Sequence, residues 1–181
     1  MKSERYVAFL RGVNVGGKHK LPMKELAEIF AASGCRDVRT YIQSGNVSFS
    51  ARNAAVKKLA PVLESRIEQR FGFAAPVVIR SRQQVAEVVS SNPFLKDGKP
   101  QQTVYIVFLA DKPSSDAIAK LDPNRSPGDE FRVAGSEIYL YLPNGAGNSK
   151  LTNAYFDSKL STIGTVRNWA TVLKLLEMMQ R

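Results

Sequence analysis

Arg11, Lys18 and Lys20 enclose Asn14 and the pair Gly16-Gly17 within "LRGVNVGGKHKLPM", residues 10–23. From Gly12 this segment reads G-x-x-x-x-G-K, the spacing with which a P-loop surrounds phosphates with glycine N–H groups and brings a Lys to the terminal phosphates. His19 stands where the Mg²⁺-binding hydroxyl residue of a P-loop would follow. Asp111, closing the apolar run "VYIVFLA", imitates the acidic strand end that holds Mg²⁺ in such enzymes. The question is whether the surrounding elements support that chemistry.

"RYVAFL" alternates like a strand, and after the loop Met23, Leu26, Ala27 and Phe30 recur at helical spacing, with Pro22 suited to the first helical position and Gly34 as a stop. "VRTYI" and "NVSF" flank the turn residues "QSG" and predict a tight hairpin. Val56, Leu59, Ala60, Leu63 and Ile67 form the next helical stripe, with Pro61 implying a kink or a late start. "APVVIRS" then closes the unit as a strand. The order β-α-β-β-α-β is that of a ferredoxin-like fold.

The second half partly repeats this order. Ser81 and Gln84 form a capping-box signal, "TVYIVFLA" reads as a strand, "SSDAIAKL" as a short helix, and "EFRVAGSEIYLYL" as a hairpin whose Gly135-Ser136 pair suits a type II′ turn. Two helices finish the chain, one near residues 150–160 with Ser149 as N-cap, the other carrying Trp169, Val172, Leu173 and Leu176 and capped by Asn168. The expectation is an α+β protein of two duplicated ferredoxin-like units. The first covers residues 1–81, a connecting helix and linker covers 82–102, and the second, with a helical C-terminal tail, covers 103–181.

This topology conflicts with the P-loop reading, because such enzymes need a mainly parallel sheet and both hairpins are antiparallel. It gives the loop another use. In a split βαβ unit the loop after strand one and the hairpin after strand two emerge at one edge, which brings Arg11, Asn14, Gly16, Gly17, Lys18 and Lys20 beside Gln43, Ser44 and Asn46. Glycine amides, polar side chains and cations there make a nest for an anion. Against this, the glycines serve a turn and the asparagines cap backbone groups. Ser149, Lys150 and Arg167 are candidates for a second side of the site.

Composition sets bounds. The chain of 181 residues carries a formal charge of +10, and residues 1–91 hold fifteen Lys and Arg against seven Asp and Glu, while 92–181 hold eleven against nine. That asymmetry favours a nucleic acid or a phosphorylated small molecule as partner. One Cys and one His cannot build a Cys/His zinc site, so no metal and no cofactor is expected. Cys35 reads as a small apolar filler, His19 as a loop residue, and Trp169 as core. With no long apolar run and no signal-peptide pattern, no membrane is expected as a partner and the location reads as cytoplasmic.

The block from Tyr6 to Phe49, with "LRGVNVGGKHKLPM" and "DVRTYIQSGNVSF", resembles the bacterial domain of unknown function 1697 family. "NPF" at 92–94, "YLPNGAGNSKL" at 141–151 and "GTVRNWATVLKL" at 164–175 are similar to that family's motifs as well. The resemblance implies a duplicated ferredoxin-like fold and no particular activity, and it sets His19 where members often carry a polar amide. The residues themselves leave three functions open: a module binding phosphate groups of nucleic acid or nucleotide, a small phosphohydrolase of acylphosphatase type in which Arg11 holds the phosphate and Asn46 positions water, and a docking module for an acidic protein.

Overall fold

The computed structural model describes residues 3–180. The elements run β1 (Ser3–Leu10), α1 (Met23–Ala32), β2 (Arg36–Tyr41), β3 (Asn46–Arg52), α2 (Asn53–Val56), α3 (Leu59–Phe71), β4 (Val77–Ser81), α4 (Arg82–Ser90) and α5 (Pro93–Lys96). They continue with β5 (Val104–Leu109), α6 (Ser115–Ile118), β6 (Glu130–Ala134), β7 (Glu137–Tyr141), α7 (Asn153–Leu160), β8 (Gly164–Asn168) and α8 (Trp169–Met178). The protein is mixed α+β with two four-stranded sheets, ordered β2-β3-β1-β4 and β6-β7-β5-β8. Every pairing between neighbouring strands is antiparallel, so the parallel sheet of a P-loop enzyme is absent from the described residues.

The two sheets share not only strand order but register. Tyr6 faces Ser81 and Leu10 faces Val77 across β1 and β4, and Tyr105 faces Asn168 and Leu109 faces Gly164 across β5 and β8. One compact unit runs through Ala86 and resumes at Lys174; the other spans Glu87–Leu173.

In the first unit, alternation sends Tyr6, Ala8, Leu10, Val47, Phe49 and Ala51 to one face, where they pack with Leu26, Ile29 and Phe30 of α1 and Leu59, Leu63 and Ile67 of α3. Val7 and Phe9, on the opposite face of β1, are fully buried too, so this strand is covered on both faces and does not alternate between core and solvent as its sequence suggests. Pro61 lies in the first turn of α3, where its missing N–H costs nothing, so the late start is realised. In the second unit Val107, Leu109, Ile138 and Leu140 pack with Tyr155, Phe156 and Leu160 of α7.

The structure departs from expectation at four places. "GTVRN", read as part of a helical tail, is β8, an edge strand of the second sheet. Its buried face carries Thr165 and Arg167, so the apolar alternation that reveals a strand is missing, while the helical spacing from Trp169 onward dominates the pattern. Helix α7 starts at Asn153, not near Lys150, and Thr152 caps it by accepting from the Tyr155 amide at 3.2 Å, whereas Ser149 Oγ accepts from Leu151 N at 3.0 Å. Pro22 sits one residue before α1 as its N-cap. The first hairpin turns through residues 42–45, with Ile42 at a φ of 48°.

The predicted caps around α4 and α8 are present. Ser81 N donates to Gln84 Oε1 at 2.8 Å and Gln84 N to Ser81 Oγ at 3.2 Å, and Thr171 N donates to Asn168 Oδ1 at 2.8 Å. Gly135 turns the second hairpin with a φ of 62°.

Candidate functional site

Three connections of the first unit meet at one end of its sheet: residues 11–22 after β1, 42–45 between β2 and β3, and 72–76 before β4. Backbone bonds tie them together. Leu10 N donates to Gly45 O at 2.8 Å and Arg11 N donates to Pro76 O at 3.0 Å.

The first loop folds back on itself as a small hairpin. Asn14 N donates to His19 O at 3.0 Å and Lys18 N to Val15 O at 3.1 Å, with Gly16 and Gly17 at φ of 58° and 73° forming the tip. Positive φ at both central residues is a type I′ turn, which glycine adopts without steric cost. Asn14 fixes the base of this hairpin. Its Nδ2 donates to Leu21 O at 2.9 Å and to Gln43 O at 2.8 Å, while its Oδ1 accepts from Leu21 N at 2.8 Å. The Asn14 amide is thus committed to backbone, and its part in the site is to set the loop's shape and dock it on the neighbouring turn. His19, also at positive φ, stacks on Phe73 with ring centroids 4.6 Å apart and places Nδ1 3.0 Å from Gly12 O, joining the loop to the third connection.

Asn46 is fully buried, with Nδ2 donating to Tyr41 O at 3.1 Å and to Ser44 Oγ at 2.9 Å. It holds the second turn from inside. Gly45, at a φ of 75°, allows the closest approach in this end: a Cβ there would lie 2.7 Å from both Leu10 Cβ and Val13 Cγ2. What faces solvent is Lys18, Lys20, Gln43 and the glycine tip, with Arg11 and Ser44 half-buried. No Asp or Glu occurs in residues 11–22, 42–45 or 72–76, and the cations lie in the first of them; the nearest carboxylate with a bond at this end is that of Glu64 in α3, whose Oε1 accepts from Val77 N at 2.8 Å.

The corresponding connections of the second unit close the same topology with fewer residues. Five residues (110–114) join β5 to α6 where twelve join β1 to α1; two turn the β6–β7 hairpin where four turn the first; three precede β8 where five precede β4. They also carry an acid, Asp111, whose backbone N donates to Thr162 Oγ1 at 3.0 Å. All three connections of the first unit are therefore longer than the topology requires. Such surplus at the end of a rigid sheet is where binding residues concentrate.

The family model described as a protein of unknown function, DUF1697, matches residues 3–139, more than half of the chain. The chain belongs to the DUF1697 family. The matched stretch contains the whole loop and hairpin end and stops before the segments at 141–151 and 164–175. A conserved bacterial protein from Streptococcus pneumoniae is similar in structure, with a TM-score of 0.72 and 20% sequence identity over 98% of this chain and 99% of that one. That likeness speaks for the fold alone. No curated protein matches the chain significantly.

The remaining candidates of this DUF1697 chain are dispersed. Ser149 and Lys150 lie in the second unit, where Lys150 N donates to Ser126 Oγ at 3.1 Å. Arg167 is only 7% exposed within β8, its Nη1 donating to Thr165 Oγ1 at 2.7 Å and Val166 O at 2.8 Å; burial pushes its pKa down to about 10, which leaves it charged at neutral pH. Arg80, at the same register position of the first sheet, is buried likewise and donates to Ile79 O at 3.0 Å. Cys35 is buried and desolvation pushes its thiol up to about 11, so it is neither a ready nucleophile nor a thiolate ligand at neutral pH. Trp169 is core, at 2% exposure.

Among the described residues no three His, Cys, Asp or Glu side chains are grouped to hold a metal ion, and no helix is long and apolar enough to cross a membrane. A cavity of about 630 Å³ opens at the other end of β1, lined by Glu4, Arg5, Arg82 and Gln83 among others. Its charges are of both signs, and it shares nothing with the loop end.

Sequence reading missed Val15, Ile42 and Phe73 as members of this end. Ile42 is 50% exposed and Val15 65% exposed, and a β-branched residue at positive φ, as Ile42 is, stores about 1–3 kcal/mol of strain. The only sequence signal was that "YIQSGN" places Ile42 beside turn residues; its φ is a tertiary outcome.

Proposed function

We propose that this protein is a non-catalytic binding module built of two ferredoxin-like units, and that the loop and hairpin end of the first unit recognises phosphate groups of a nucleic acid or nucleotide in the cytoplasm. The observation that carries the reading is the surplus length of all three connections at that end relative to the second unit, combined with Arg11, Lys18 and Lys20 and the absence of Asp and Glu from the connections themselves. The Gly16 and Gly17 amides sit at the tip of a pre-shaped turn, and oriented backbone N–H groups beside Lys side chains bind phosphate without prior reorganisation. The sequence-independent part of such binding is electrostatic and releases counterions from the nucleic acid.

The test is a titration of labelled RNA and DNA at several salt concentrations. Binding should weaken steeply with salt, and Lys18→Ala with Lys20→Ala should reduce the log–log slope by about 1.5 to 2. A salt-independent curve, or no binding at low salt, overturns the reading. The acylphosphatase-type alternative loses support because Asn46 is fully buried and its amide holds the turn, leaving no exposed group in the proposed water-positioning role.

A further inference from the structure

Two of the most exposed apolar side chains among the described residues, Val15 at 65% and Ile42 at 50%, belong to the cationic end of the first unit. They are held there by structure. The chain neighbours of these two residues, Asn14 and Gln43, are joined by the 2.8 Å bond from Asn14 Nδ2 to Gln43 O, and Asn46 Nδ2 holds Tyr41 O on the other side of Ile42. Ile42 is thus pinned in a left-handed conformation, φ 48°, that a β-branched residue avoids, with its side chain outside the core. Glycine or asparagine would turn the chain here at less cost, so the hairpin's own needs do not account for isoleucine at this position.

We infer that the ligand of this end is a single-stranded nucleic acid, whose phosphates meet Lys18, Lys20 and the glycine tip while its unstacked bases rest on Ile42 and Val15. The inference rests on the phosphate-binding reading and narrows it. A bare phosphate or a duplex backbone offers charge but no apolar surface, and would leave both side chains idle; a single strand offers both, because its bases are free to leave the stack. The positive charge of residues 11–22, which carry Arg11, Lys18 and Lys20 and no acid, is complementary to such a polyanion.

The test compares a fluorescein-labelled single strand of about 12 nucleotides with the same sequence as a duplex, and with inorganic pyrophosphate as competitor, on wild type, Ile42→Gly, Val15→Ser and the Lys18→Ala/Lys20→Ala variant. Glycine relieves the left-handed strain, so Ile42→Gly folds and its urea midpoint stays level or rises. The expected result is a single-strand Kd raised about five- to ten-fold in Ile42→Gly and several-fold in Val15→Ser, with duplex affinity unchanged in both. Equal single-strand affinity in wild type and Ile42→Gly overturns the inference while leaving the anion site standing, provided the lysine variant still loses binding. An acidic peptide that competes as strongly as the single strand, and is equally sensitive to Ile42→Gly, overturns it in favour of a protein partner.

Discussion

Asn14 Nδ2 lies 2.8 Å from Gln43 O, across 29 positions of sequence, and the same side chain closes its own loop through both backbone groups of Leu21. One short amide therefore decides where the basic loop sits relative to the hairpin. It is suited to the task because Asn tolerates the left-handed conformation, φ 55°, that the loop imposes there.

Asn14→Ala removes three hydrogen bonds and places a Cβ-bearing residue with no compensating bond at positive φ. The expected loss is about 2–4 kcal/mol of stability, read from urea unfolding. Asn14→Gly restores the conformational freedom but not the bonds and should recover only part of that loss. If both variants unfold at the wild-type midpoint, the bonds do not hold the loop.

Gly45→Ala meets two obstacles, a φ of 75° and 2.7 Å contacts to Leu10 and Val13. It should cost about 3 kcal/mol or more, because neither the β1 backbone nor the buried Val13 can retreat. Gly34→Ala, with a φ of 87° but open space around it, meets only the first obstacle and should cost about 1–2 kcal/mol. The difference between the two midpoints isolates the close packing of turn on strand.

Cys35 predicts a pH dependence. Its thiol is pushed up to about 11 from 9.0 and Tyr139 up to about 12 from 10.0, in both cases chiefly by burial. A folded pKa above the unfolded one means the contribution is complete below the unfolded value and is lost as pH rises, so stability should be level toward pH 9 and decline between pH 9 and 12. Arg167, lowered to about 10, acts with the opposite sign and offsets part of the decline above pH 10. Cys35→Ala should delay the onset of the decline, measured by urea midpoints along a pH series. At pH 8 the native thiol should react with an alkylating reagent far more slowly than the urea-unfolded chain.

Asn168→Ala should cost about 1 kcal/mol through loss of the cap on α8, and Asn168→Ser should restore most of it. Equal midpoints for the three proteins would remove the cap from the account of this helix.

How much of this was legible beforehand follows the range of the forces involved. Helices such as α1 and α3 announce themselves through period, because burial of one face acts on residues three to four positions apart, and strands such as β1 and β3 through β-favouring residues bounded by turns. The meeting of loop and hairpin could be derived as well, since strand order alone fixes which connections share an end. β8 was hidden because a short strand with Thr165 and Arg167 on its buried face has no apolar period, and only the hydrogen bonds of β5 make it a strand. The roles of individual site residues were hidden for a related reason. Asn14, Asn46, Lys18 and Lys20 are all polar turn residues in sequence, yet the fold turns the two amides toward backbone partners and leaves the two ammonium groups in water. Residue types and topology thus set the charge and place of this end, while the division between side chains that hold it and side chains that face a ligand comes from hydrogen bonds that close only when distant segments meet.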